Sequence, residues 1–174
     1  MEPVIGWTLR VALSLLFAIS AWEKVQGFSK FESAMRDYEL LPRKLVSIAA
    51  RALVILEGVV AVALIVTPWA GVGVLGLLAV YCIAIAINLA RGRTEIDCGC
   101  GGTESKPLSG LLLIRNTLLA IAGLGVLLPI SARPIDGQDI FVIGAAVTTI
   151  SILWSAGGQL SKNARAVRTM EGTR

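Results

Sequence analysis

Residues 45–90 read LVSIAARALVILEGVVAVALIVTPWAGVGVLGLLAVYCIAIAINLA. Two apolar runs, Leu45–Val66 and Trp69–Ala90, are separated only by Thr67-Pro68. Crossing the ~30 Å hydrocarbon core of a bilayer takes about 20 mostly apolar residues in a helix, and each run is that long. A membrane β-strand would alternate apolar and polar residues. These runs are apolar all round, so helices are expected. So short a connection, with a proline in it, forces the two into an antiparallel hairpin.

Three more stretches qualify as spans: Val4–Trp22, Leu108–Ile130 and Ile140–Gly158. The five together use most of the 174 residues. The chain is 55 % hydrophobic and only 16 % charged, with a mean hydropathy of +0.76. A soluble domain is about 45–50 % apolar and about 25 % charged. The expectation is a single membrane-embedded domain over residues 1–158, with a basic and disordered tail at 159–174. Met1-Glu2-Pro3 carries no Lys or Arg and Arg10 interrupts the first apolar run, so that run is read as a span rather than a signal peptide, although Ala18-Ile19-Ser20 would serve as a cleavage site. No internal repeat suggests an inverted-repeat transporter.

Lys and Arg near the ends of the spans set the orientation. Twelve of them fall on one face: Lys24, Lys30, Arg36, Arg43 and Lys44 in the first connection, Arg91, Arg93 and Lys106 in the third, and four in the tail. The other face has Arg133 alone. This bias places the N-terminus outside and the C-terminus in the cytoplasm. The net charge of +4 therefore reports orientation and implies no nucleic-acid partner. In the first connection Phe28, Phe31, Met35 and Tyr38 recur at helical spacing, and Pro42 ends the pattern. Ser29-Lys30-Phe31-Glu32 has the form of a capping box, and a short amphipathic helix in the headgroup region is expected, with a polar connector as the alternative. Trp7, Trp22, Trp69 and Trp154 lie near span ends, as in an aromatic belt.

The chain has no histidine, which removes imidazole as a metal ligand or general base. Chemistry then falls to the third connection, which contains Asp97-Cys98-Gly99-Cys100-Gly101-Gly102. Two thiols separated by one glycine can close a small, strained disulfide ring, and strained or exposed disulfides are the labile and catalytic ones. Arg91 and Arg93 would favour the reactive thiolate. Two alternatives stand beside a redox pair. Asp97 or Glu95 could add oxygen ligands to a metal site, although two Cys alone do not complete a tetrahedral zinc site. The cysteines could also be inert. Cys82, within the third span, reads as a small hydrophobe or as a third, resolving thiol.

Charges inside the bilayer mark function by default, provided they find a partner. Glu57 and Arg10 each sit about twelve residues from the first-connection end of their spans, so they are expected to pair. Such a pair either fixes helix register or belongs to a site. Arg51 and Arg115 lie close enough to the interface to snorkel. With Asn116 beside it, an inward-pointing Arg115 would stand beneath the cysteines and could stabilise a thiolate or bind a quinone oxygen.

Leu9-Arg10, Leu15-Leu16-Phe17 and Glu23-Lys24 resemble the first helix of DoxX-like membrane proteins. Phe31 to Leu41-Pro42, Leu56-Glu57-Gly58, Arg91-Gly92-Arg93, Asp97-Cys98-Gly99-Cys100 and Ile114-Arg115-Asn116 resemble, more specifically, the MauE family, over residues 5–125. Gly101 stands where that family often has an aromatic residue. The resemblance implies a small helical bundle in a bacterial cytoplasmic (inner) membrane. The expected fold class is thus an all-α integral membrane protein, with an antiparallel four-helix core, one further helix and the short interfacial helix. It also implies work with a thioredoxin-like partner in disulfide formation and maturation of a periplasmic redox enzyme, such as the methylamine dehydrogenase small subunit. No cofactor is implied with certainty; a quinone is one candidate electron acceptor. A cytoplasmic cysteine loop would instead suit a relay carrying reducing equivalents outward. Two other classes stay open: a small transporter or metal-ion carrier using Glu57 and the thiols, and a non-catalytic scaffold of a redox complex.

Overall fold

The computed structural model describes residues 1–93, 110–131 and 133–171. Among them are six helices and no strand: α1 Pro3–Gln26, α2 Phe28–Asp37, α3 Arg43–Val66, α4 Ala70–Ala90, α5 Gly110–Val126 and α6 Gly137–Glu171. Each of the five apolar stretches carries a helix, and α2 is the amphipathic element between the first two spans. Four helices are long and apolar enough to cross a membrane, and α5 is a shorter apolar helix of 17 residues. The protein is an all-helical, multi-pass membrane protein.

One core joins four of these helices. Leu13 and Phe17 of α1, Val60 and Leu64 of α3, Val74 and Leu77 of α4, and Val126 of α5 are buried together. Helix α1 packs on α3 and α5, and α4 packs on α3 and α5, which closes an antiparallel ring of four. Helix α6 packs against α1 and lies outside the ring. The outward surface carries Ile55, Val62, Ile83, Leu118 and Ile121, all exposed, which is the surface a bilayer covers.

The contact between α4 and α5 depends on glycine. A Cβ on Gly71 would lie 2.8 Å from the carbonyl oxygen of Gly123, and one on Gly123 would lie 2.8 Å from Val74 Cγ1. Between membrane helices there is little hydrophobic driving force, so close backbone approach at small residues supplies the packing.

Helix α2 turns its stripe onto the bundle. Phe31 packs with Ala50 and Val54 of α3, and Tyr38 packs with Ile85 of α4 and Leu112 of α5. The capping box does not form: Gly27 is the N-cap, no side chain caps the helix, and Glu32 pairs with Arg36 instead. A reciprocal cap does occur at α6, where Asp136 Oδ1 accepts from the Asp139 amide at 2.9 Å and Asp139 Oδ2 from the Asp136 amide at 3.2 Å. Arg133 donates to Asp139 at 2.9 Å, and the Met1 ammonium donates to the Pro129 carbonyl at 2.6 Å. Helix α6 continues to Glu171, beyond the Gly158 at which hydropathy ends the span.

Candidate functional site

The best-defined polar cluster lies where α1, α2, α3 and α4 converge. Lys24 and Glu57 are 3 % and 1 % exposed, in a bundle whose surroundings are apolar. Lys24 Nζ donates to both carboxylate oxygens of Glu57 at 2.9 Å and to Ser20 Oγ at 2.6 Å. Tyr81 Oη donates to Glu57 Oε1 at 2.5 Å, and the Ser20 hydroxyl lies 3.5 Å from the same oxygen. The rings of Phe31 and Tyr81 each stand 5.5 Å from the Lys24 ammonium. A buried ion pair persists in low dielectric only when hydrogen bonds satisfy its remaining atoms, and here a hydroxyl, a phenol and two aromatic faces complete the shell.

The expected Arg10–Glu57 pair is not formed. Arg10 is buried, but its Nε donates to the Leu64 carbonyl at 2.7 Å and its Nη2 to the Ile65 carbonyl at 3.0 Å. These carbonyls belong to the last turn of α3, where acceptors lack intrahelical partners and the helix dipole favours a cation. Arg10 also stacks on Trp7 at 4.5 Å, so this tryptophan serves a cation rather than the belt alone. Trp22 and Trp69 do face outward.

Equal depth misleads because side chains lean. Every Cα–Cβ bond tilts toward the N-terminus of its own helix. On antiparallel α1 and α3, Lys24 on the last turn leans toward the middle of the bundle, and Glu57 leans to meet it. Arg10 leans the same way as Lys24, which takes it away from Glu57 and toward the C-terminal end of α3. Lys24 is therefore not a loop cation. The orientation count loses one positive charge and keeps its sign.

Lys24, Ser20 and Tyr81 are the residues that hydropathy overlooked. The i, i+4 spacing of Ser20 and Lys24 was a usable signal, since it puts hydroxyl and ammonium on one helical face. Nothing in the sequence marks Tyr81.

Beside this cluster, α2, α3 and α4 bound an apolar groove of about 610 Å³, with Met35, Leu53, Leu56, Tyr81 and Ala84 among its walls. Cys82 follows Tyr81 on α4, is half-buried, and has no disulfide partner among the described residues. With the Glu57 carboxylate engaged by Lys24 and Tyr81, an ion carrier would have to break both contacts before using it.

Cys98 and Cys100 lie outside the described residues, but both ends of their connection are described. Helix α4 ends in a Schellman turn: Gly92 at φ +73° donates to Leu89, and Arg93 donates to the Asn88 carbonyl. Arg93 then donates to Glu39 Oε2 at 2.6 Å and to the Asp37 carbonyl at 3.3 Å. That bond holds the Glu39 carboxyl below the usual carboxylate range, with the nearby positive charges of Arg93, Arg91 and Arg43 adding to it. Arg93 is thus committed to α2, while Arg91 is exposed. On α5, Asn116 is buried and Arg115 half-buried, one to two turns from the helix start. Asn116 Nδ2 and, on α4, Asn88 Oδ1 are buried with no hydrogen-bond partner among the described residues. An unpartnered donor at Asn116 is what a quinone oxygen would accept from.

A family model described as methylamine utilisation protein MauE matches residues 2–129, which is α1 to α5 and stops before α6. The chain is 37 % identical to a methylamine utilization protein MauE of Paracoccus denitrificans, over 99 % of this chain and 97 % of the relative. It is 38 % identical to that of Methylorubrum extorquens over 91 % and 88 %, and 30 % identical to that of Methylophilus methylotrophus over 86 % and 80 %. No solved structure matches the chain.

Proposed function

The chain belongs to the MauE family of methylamine utilisation membrane proteins, and from that premise we propose that it is a membrane thiol–disulfide electron-transfer protein serving a thioredoxin-like partner. The observation that carries the reading is the Cys98-Gly99-Cys100 sequence in the connection between two packed membrane helices, α4 and α5.

In the oxidising direction, a thiolate of the partner attacks one sulfur of the Cys98–Cys100 disulfide. The S–S bond breaks, a mixed disulfide forms, and the other cysteine leaves as thiolate. The partner's second thiolate then attacks the mixed disulfide. The partner ends as a disulfide and Cys98 and Cys100 as a dithiol, with two electrons moved. Arg91, exposed at the start of the connection, supports the thiolate. This direction requires the cysteine connection to face the periplasm, against the Lys and Arg bias; the oxidised partner there supports disulfide formation in a periplasmic redox enzyme, such as the methylamine dehydrogenase small subunit. Re-oxidation of the dithiol requires a two-electron acceptor. A quinone supplies that chemistry when bound, and Asn116, with Arg115 beside it, would hold its oxygen. The Lys24–Glu57–Tyr81 cluster is the rigid base that fixes α4 against α1 and α3.

Replacing Cys100 by Ser should trap a mixed disulfide through Cys98, and replacing both cysteines should abolish it while the protein still inserts. Purification of the Cys100→Ser protein from cells under acid quench, followed by non-reducing electrophoresis, reads this directly. A double serine variant that keeps full maturation of the partner's substrate would overturn the reading. Labelling by a membrane-impermeant thiol reagent in intact and lysed cells reports the side on which the pair works.

A further inference from the structure

We propose that the α2 face of the bundle holds an anionic phospholipid, with its phosphate at Arg43 and Lys44 and one acyl chain in the groove between α2, α3 and α4. Two neighbouring spaces carry this assignment. A polar cavity of about 680 Å³ lies beside α2 and the start of α3, and includes Arg36, Asp37, Glu39, Arg43 and Lys44. The apolar groove of about 610 Å³ lies next to it, and Leu41 lines both. A charged space beside an apolar one matches a lipid and fits neither a soluble anion nor a plain hydrocarbon.

The charges favour a negative headgroup. Glu32 holds Arg36, and Arg93 holds Glu39. Arg43 and Lys44 are exposed and make no ion pair among the described residues. Arg91 adds its field at the same place, so five cations stand against the three carboxylates of Glu32, Asp37 and Glu39. The headgroup of a zwitterionic lipid brings its own ammonium and gains less. Basic side chains at a membrane face attract anionic lipid by about five-fold per residue.

The groove has the depth and the exposure for a chain. Its α3 wall runs from Ala49 to Leu56, about 10 Å at 1.5 Å per residue. Leu56, Val80 and Ile83 on its walls are exposed, so it opens sideways to the bilayer.

The test uses the full chain purified in detergent, titrated with phosphatidylglycerol or phosphatidylcholine, with bound lipid counted by native mass spectrometry and stability read as Tm. Wild type should bind phosphatidylglycerol more tightly than phosphatidylcholine. Arg43→Gln/Lys44→Gln should weaken phosphatidylglycerol by about 30-fold and erase the preference, whereas Lys30→Gln, outside the cavity, should keep it. Ala52→Trp, which fills the groove from an exposed position, should weaken both lipids. Inorganic phosphate should not raise the Tm. Equal affinity of wild type for the two lipids would overturn the proposal. So would a preference that survives the double substitution, an unaffected Ala52→Trp, or stabilisation by phosphate alone.

Discussion

Removing one member of the Lys24–Glu57 pair tests the central geometric claim, because the alternative partner, Arg10, makes a different prediction. Lys24→Met deletes the ammonium that both Glu57 oxygens accept from and leaves a buried carboxylate with Tyr81 and Ser20 as its remaining neighbours. Breaking a buried ion pair on one side costs about 3–5 kcal/mol, whereas replacing both members by apolar residues of similar volume is often neutral or stabilising. Lys24→Met and Glu57→Leu should each destabilise by about 3–5 kcal/mol, and the double variant by far less than their sum. Arg10→Met loses two charge-assisted bonds to carbonyls, at about 1.5–3 kcal/mol each, and its stacking on Trp7. It shares no partner with Glu57, so Arg10→Met and Glu57→Leu should add within about 0.5 kcal/mol. Reversible unfolding in mixed micelles, followed by far-UV circular dichroism, supplies both cycles. Additive Lys24 and Glu57 effects, or a large coupling between Arg10 and Glu57, would refute the register of α1 against α3.

Tyr81→Phe removes only the phenolic donor to Glu57, and should lower stability by about 1.5–3 kcal/mol in the same unfolding assay. Gly123→Leu should separate α4 from α5, at about 1–3 kcal/mol or more, since even a Cβ there meets Val74; the loss should appear as a lowered Tm. Glu39 sits at φ +48°, so Glu39→Gly relieves left-handed backbone while breaking the Arg93 contact. The carboxyl is held below its ordinary value in the folded state, so its contribution is present above the unfolded carboxylate pKa. It should fade as pH falls through the lowered value; a Tm profile against pH should flatten there in Glu39→Gln.

The spans were legible because burial in lipid is decided locally: any run of about 20 apolar residues satisfies its backbone as a helix, whatever its neighbours do. The stripe of α2 was legible for a similar reason, since Phe31 and Tyr38 fall on one face by spacing alone. The failed capping box shows the limit of such local signals, since Glu32 found Arg36 one turn on rather than the helix start.

Composition and hydropathy determined, unaided, that this is a helical membrane protein and how many apolar segments it has. Which charge meets which was settled by the tertiary structure alone. Depth along a helix can be counted from residue numbers, but the lean of a side chain and the register of its antiparallel neighbour cannot. Those two quantities took Glu57 from Arg10 to Lys24, brought Tyr81 to it from a third helix, and turned Arg10 into the cap of α3.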